Sequence, residues 1–125
     1  MIEFLPESHD AVLGVRASGK LSDMDYRTTL LPRLEPLFAQ YGRVRLLFSF
    51  APDFEGWEWR AAMDDAELGL RRSHGFERIA IVGGPAWVSA SANVLKFLID
   101  AEVKTFDARA LAEAWLWVEA DASAQ

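Results

Sequence analysis

The sequence predicts an α/β domain: a mixed, mostly parallel β-sheet with an antiparallel hairpin at its N-terminal edge, in the order β-β-α-β-α-β-α-β-α. Three observations predict it. Apolar spacing along the chain switches repeatedly between strand-like and helical periods. Two runs, Val44–Phe50 (VRLLFSF) and residues 78–82 (RIAIV), are nearly continuous apolar stretches, the pattern of strands covered on both faces. A short polar gap separates the first two apolar runs, as a hairpin requires.

The elements follow in order. Residues 2–5 form a short apolar run closed by Pro6, an edge strand. The polar stretch 7–10 (ESHD) turns the chain into a strand over 11–17, with Val12, Leu13 and Val15 as its apolar bulk. Ser18-Gly19-Lys20 ends that strand. Ser22, with Asp25 three residues on, reads as a helix start. The helix must then cross Pro32 and Pro36, each lacking an N–H, so the reading is a stretch over 23–29, a break, and a second stretch to Tyr41. Leu30, Leu31, Leu34, Leu37 and Phe38 supply its buried stripe and Gly42 its C-cap.

After the strand Val44–Phe50 comes a loop over 51–56 with Pro52 and Gly56. Residues 57–73 have helical spacing: Trp59, Ala62, Met63, Ala66 and Leu70 share one face, and Asp64, Asp65, Glu67, Arg71 and Arg72 the other. Gly75 ends it. The strand 78–82 leads through Gly83-Gly84-Pro85 into a helix over 87–99 containing Val88, Leu95 and Leu98. Residues 102–106 give the last strand. Asp107 caps a helix over 108–119, where Leu111, Ala112, Trp115 and Leu116 recur at helical spacing. Residues 1–120 therefore read as one domain and 121–125 as a fraying tail.

Composition narrows the function. At 125 residues the chain has the commonest size of a single domain. It has no cysteine, which excludes disulfides and thiolate metal sites and fits a cytoplasmic setting. The net charge is −6, and the cations, such as Arg43, Arg45, Arg71, Arg72, Lys96 and Lys104, are scattered between acids, so no phosphate-binding stripe forms and nucleic acid is disfavoured as a partner. Met1-Ile2-Glu3-Phe4 has no basic region ahead of an apolar stretch, so no signal peptide is expected, and the longest apolar run, 110–118, is interrupted by Glu113, so no membrane span is expected.

Three local patterns carry a family likeness. They are Phe54-Glu55-Gly56-Trp57 ahead of a helix with Asp64-Asp65; 75–83 (GFERIAIVG) running into Trp87; and 102–106 (EVKTF) leading to a helix with Trp115-Leu116. With the order of elements, they make the chain resemble the SpoIIAA-like branch of the STAS-like domains, related in fold to the CRAL-TRIO lipid-transfer domains. The resemblance implies a binding or regulatory role, since the better-known STAS domains act as anti-sigma factor antagonists or as cytoplasmic parts of anion transporters. In the antagonists, phosphorylation of a serine at the start of the helix after the central strand switches partner binding. A phosphate at a helix N-terminus is well stabilised. The matching stretch here, 53–57 (DFEGW), has no Ser or Thr, so that switch is not expected, and Glu55 supplies permanent negative charge instead.

The remaining candidates are aromatic and glycine residues. Trp57 and Trp87 are each expected to open a helix just past the C-terminal end of a parallel strand, the edge where open α/β sheets bind ligands. With Phe54, Gly56 and the Gly83-Gly84 turn, they would line a site for a small lipophilic or anionic ligand; the plainer reading is core packing and a tight turn. Trp115 and Trp117, two residues apart on one helix, diverge, so Trp117 is the candidate for an exposed surface or a homodimer interface. Asp64, Asp65 and Glu67 read as a solvated acidic face. His9 and His74 lack metal-ligand spacing, and Ser49, Ser89 and Ser91 lack a nucleophile motif. No catalytic residue, metal site or cofactor is expected. The leading expectation is a non-enzymatic binding or regulatory module, as a homodimer, acting through protein contact at its helical surface. A ligand carrier is the alternative, and a hydrolase, with a histidine joined to a serine and a carboxylate in one cleft, is the least favoured.

Overall fold

The computed structural model describes residues 1–57, 76–86, 88 and 102–120, with the backbone alone at 23, 26 and 57. Its centre is a five-stranded sheet in the order β1-β2-β4-β6-β7, from β1 (Ile2–Phe4), β2 (Val12–Ala17), β4 (Val44–Phe50), β6 (Phe76–Gly83) and β7 (Glu102–Phe106). β1 pairs antiparallel with β2, Ile2 opposite Ala17, which is the expected hairpin edge. The other pairings are parallel: Leu13 beside Leu46, Leu46 beside Ile79, and Ile79 beside Val103. The two near-continuous apolar runs are thus adjacent, co-directional strands at the middle of the sheet, where hydrophobic side chains are wanted on both faces.

Alternation along these strands divides the core. One face carries Leu13, Val15, Leu46, Phe50, Ile79, Ile81 and Val103, and packs against Leu30 and Leu34 with Leu37 and Phe38. The other carries Val12, Leu47, Ala80 and Val82 under Ala114, Trp115 and Val118. A helix therefore covers each face: α2 (Leu31–Tyr41) the first and α3 (Leu111–Glu119) the second.

The first helical segment follows the sequence closely. The Ser22 N–H donates to the Asp25 carboxylate (3.0 Å) and the Asp25 N–H to the Ser22 hydroxyl (3.1 Å), a reciprocal capping pair. One α-turn, α1 (Asp23–Asp25), then widens into a π-helical turn over Tyr26–Leu30 before α2 begins. The helical run is thus continuous where a break was expected: Pro32 has no N–H and its ring excludes the carbonyl four residues back, and a wider turn accommodates it without interrupting the helix. Gly42 closes α2 at φ 78°, where a side chain would be strained, and its N–H donates to the Phe38 carbonyl (2.9 Å). Removing the Ser22 hydroxyl (Ser22→Ala) should cost about 1 kcal/mol in urea unfolding, the usual value of a lost N-cap.

Two features depart from the expectation. Lys20–Leu21 (β3) and Gly56–Trp57 (β5) form a small parallel two-stranded sheet, so Trp57 sits in an extended bridge and does not begin a helix there. The structural reason is the Glu55 N–H, which donates to the Gly19 carbonyl (2.7 Å) and draws the chain alongside β3. The helix over 108–119 opens as a 3₁₀ turn (Ala108–Ala110) before α3; its cap is the expected one, the Asp107 carboxylate accepting from the Arg109 N–H at 2.9 Å. Of the helices expected over 57–73 and 87–99, residues 58–73, 87 and 89–99 lie outside the described residues, as does the tail 121–125.

Candidate functional site

The C-terminal ends of the parallel strands hold the residues expected to form a site. β4 ends in Phe50 and runs into a short loop. The Ala51 N–H bonds the Ala17 carbonyl (2.9 Å), and the Phe54 N–H bonds the Ala51 carbonyl (3.0 Å). Phe54 is 2% exposed and its ring lies 4.6 Å from that of Phe50. With the Glu55 bond to Gly19, the loop is pinned to its surroundings at two backbone points, closed by one internal bond and held by one aromatic anchor. It presents Pro52, Asp53 and Glu55 to solvent. Short anchored loops of this kind lose little entropy when a partner docks.

The neighbouring turn is equally tight. A Cβ on Gly84 would stand 2.8 Å from the Phe50 Cβ and 3.2 Å from a Val88 methyl, and one on Gly83 would stand 3.0 Å from the Ala108 Cβ. The structure thus brings Phe54, Gly56, Gly83 and Gly84 to one end of the sheet, with Phe54 and Gly84 held in packing contacts. The side chain of Trp57, and the whole of Trp87, lie outside the described residues.

The paired tryptophans of α3 diverge as expected. Trp115 is buried against the sheet, its Cη2 only 2.6 Å from where a Cβ on Gly14 would be. Trp117 is half-buried, 5.9 Å from the Phe106 ring and with the Arg78 guanidinium 5.3 Å from its own. The fully displayed apolar side chain on this helix is Leu116, 71% exposed.

Under the end of α3 lies a charged cluster that the sequence does not announce. Arg45 and Arg78 are register partners on β4 and β6. Arg45 donates to the carbonyls of Val118 (2.9 Å) and Ala120; Arg78 donates to those of Trp117 (2.6 Å) and Ala120 (3.0 Å). These carbonyls belong to the end of the helix, where intrahelical donors run out, although that of Trp117 also accepts the Ala120 N–H (3.3 Å); cations there also oppose the helix dipole. The β4–β6 register jumps from Val44–Phe76 to Arg45–Arg78, which leaves Glu77 as the extra residue, and its carboxylate pairs with Arg45. Arg78, 6% exposed, also has a Glu102 oxygen 3.7 Å from its Nε. The cluster clamps α3 to the sheet.

A cleft of about 250 Å³ lies at the opposite, N-terminal end of β2, between Ser8, His9 and Asp10 and the Pro32, Arg33, Pro36 and Leu37 face of α2. Its signal in the sequence is the two prolines four apart, which share a helix face. Ser8 and His9 are adjacent here, as a hydrolase would want, but their bonds run elsewhere. The Ser8 hydroxyl donates to the Leu5 carbonyl (2.7 Å) and accepts from the Gly14 N–H (2.9 Å). His9 Nδ1 lies 2.9 Å from the Glu7 carbonyl and 3.9 Å from Glu119. Among the described residues no group of three or more His, Cys, Asp or Glu side chains is placed to hold a metal ion. No helix among them is long and apolar enough to cross a membrane.

Comparison with known proteins agrees with this architecture. The model of the SpoIIAA-like family matches residues 12–119, from the start of β2 to the end of α3. The chain belongs to the SpoIIAA-like family. Among solved structures it is similar to an uncharacterised protein of the DUF3478 family with a SpoIIAA-like fold from Shewanella loihica PV-4. The two share 28% sequence identity with a TM-score of 0.73, over 94% of this chain and 92% of that one. No curated protein matches the chain. The SpoIIAA-like fold, with its mixed sheet and antiparallel hairpin, is thus both the expected and the observed one, and the chain is a STAS-like module.

Proposed function

We propose that this SpoIIAA-like chain is a non-enzymatic binding module that acts through protein–protein contact, at the loop after β4, without a phospho-serine switch. The observation that carries the reading is the loop itself: Asp53 and Glu55 stand exposed on either side of the buried Phe54, on a backbone pinned to β2 and to the segment leading into β3. It lies at the sheet edge where open α/β folds recognise their partners. It is also the stretch where, in the antagonists the sequence resembles, a phosphorylated serine stands. Two fixed carboxylates there give the charge that phosphate would otherwise supply, but permanently. Such a surface suits a partner with a basic patch, and makes binding constitutive. The burial of Phe54 and the tight fit of Gly84 on Phe50 support protein contact over the ligand-carrier reading, because both residues already spend their surface on the core.

A photo-crosslinking residue placed at Pro52 in growing cells tests this. The expected result is a discrete adduct that a control at the exposed Gln40 on α2 does not give and that forms equally in lysate treated with phosphatase before irradiation. Identical adducts from both positions, or an adduct that depends on phosphorylation of this chain, would overturn the reading.

A further inference from the structure

Among the described residues the sheet has two outer strands, β1 and β7, and β7 is the better suited to pair with itself. A two-fold axis normal to the sheet joins two copies of an edge strand antiparallel, and opposite residues must then point to the same face. That requires the axis to pass through a residue, not between two. In β7 an axis at Lys104 sets lysine against lysine, and one at Thr105 sets Lys104 against Phe106. An axis at Val103 sets Glu102 of each copy opposite Lys104 of the other, twice, with Val103 facing itself. Glu102, Lys104 and Thr105 are all exposed, so both faces of the strand are accessible there. In β1 an axis at Glu3 sets carboxylate against carboxylate, and one at Ile2 or Phe4 sets Glu3 against Met1 or Leu5, so no axis on that strand gives Glu3 an opposite side-chain charge to meet.

We infer that β7 is the contact between two copies of this chain, joined antiparallel about Val103 into a continuous ten-stranded sheet by Glu102–Lys104 cross-strand pairs. A second observation points to the same edge. α3 lies on the face from which Phe106 projects, with Trp117 against Phe106 and Leu116 71% exposed one residue away. The two-fold axis puts both copies of α3 on one face of the joined sheet, flanking the junction, where exposed apolar surface gains from a neighbour. Lysine on an edge strand ordinarily deters pairing. Here it deters the register centred on itself and favours the one that meets Glu102. The opposite strand ends, with Asp53 and Glu55, are not used by the contact.

Sedimentation velocity over a wide concentration range tests the contact. The natural chain should sediment as a dimer. Lys104→Glu and Glu102→Lys, each folded by circular dichroism, should each weaken the dimer about tenfold or more, because two attractive cross-strand pairs become repulsive. An equimolar mixture of the two variants should recover the dimer, since each copy then presents to the other the charge it lacks. A monomer at every concentration, a dimer indifferent to both substitutions, or a mixture that stays as weak as its components would overturn the inference.

Discussion

Replacing Gly14 by alanine should lower the free energy of unfolding by about 2–3 kcal/mol, the cost of forcing extra atoms into a packed core. Gly14 lies on the face of β2 that α3 covers, and the added Cβ would stand 2.6 and 2.7 Å from two indole carbons of Trp115 and 3.1 Å from the Leu5 Cβ. The clash is with a rigid ring, not the end of a flexible chain. Trp115 is itself 8% exposed, and packs with Ala114 and Val118 on Leu47 and Val82, so it has no free volume to turn into. Relief must come from lifting α3 off the sheet. The midpoint of denaturant unfolding, followed by tryptophan fluorescence, should fall accordingly. A change under about 0.5 kcal/mol, the range of ordinary surface substitutions, would show that α3 does not seat on β2 as described.

Arg78→Met should cost a similar amount, roughly 2–3 kcal/mol, for a different reason. Methionine keeps most of the apolar stem, so little packing is lost. What goes is the donor to the Trp117 and Ala120 carbonyls and the cation over the Trp117 ring. The Ala120 carbonyl keeps Arg45 as a donor and the Trp117 carbonyl keeps the Ala120 N–H (3.3 Å), so the loss is that of two charge-assisted hydrogen bonds and of the cation opposing the helix dipole. The Glu102 contact matters less, because that carboxylate is 69% exposed and solvent screens it. Arg78→Lys should fall between the two, since an ammonium replaces the charge without the planar fork. Hydrogen exchange locates the effect: amides of α3 should lose protection before those of β4 and β6. Uniform loss across the sheet, or none, would contradict the clamp.

How much of this was legible follows from the range of the interactions. The central strands were, because a strand buried on both faces must be apolar almost throughout, and Val44–Phe50 and the run 78–82 are. The helix cap at Ser22, an irregularity ahead of Pro32, the Gly42 terminus and the Asp107 cap were legible because each depends on one residue's local chemistry, although the helix there widens and does not break. The β3–β5 bridge was not, since two-residue strands carry no periodicity and are made by a bond between distant segments, Glu55 to Gly19. That Trp115 and Trp117 diverge is helix geometry. That Trp115 is the inward one depends on Gly14, a hundred residues earlier, leaving room for it. Glu77 reaches Arg45 only because a bulge re-aims it, and the cleft joins 8–13 to 32–37 across the fold. At the strand ends, the sequence placed the Phe54–Gly56 loop just past the central strand Val44–Phe50 and showed no Ser or Thr in 53–57, and did not reveal that Phe54 faces inward while the two acids flanking it face out.

Reversing both loop charges, Asp53→Lys with Glu55→Lys, tests the binding claim most directly, with crosslinking from Pro52 as the readout. Both side chains are exposed, so the thermal midpoint should stay within a few degrees of the natural chain. The account predicts that the adduct disappears while the fold persists. Undiminished crosslinking from the charge-reversed, folded chain would contradict it.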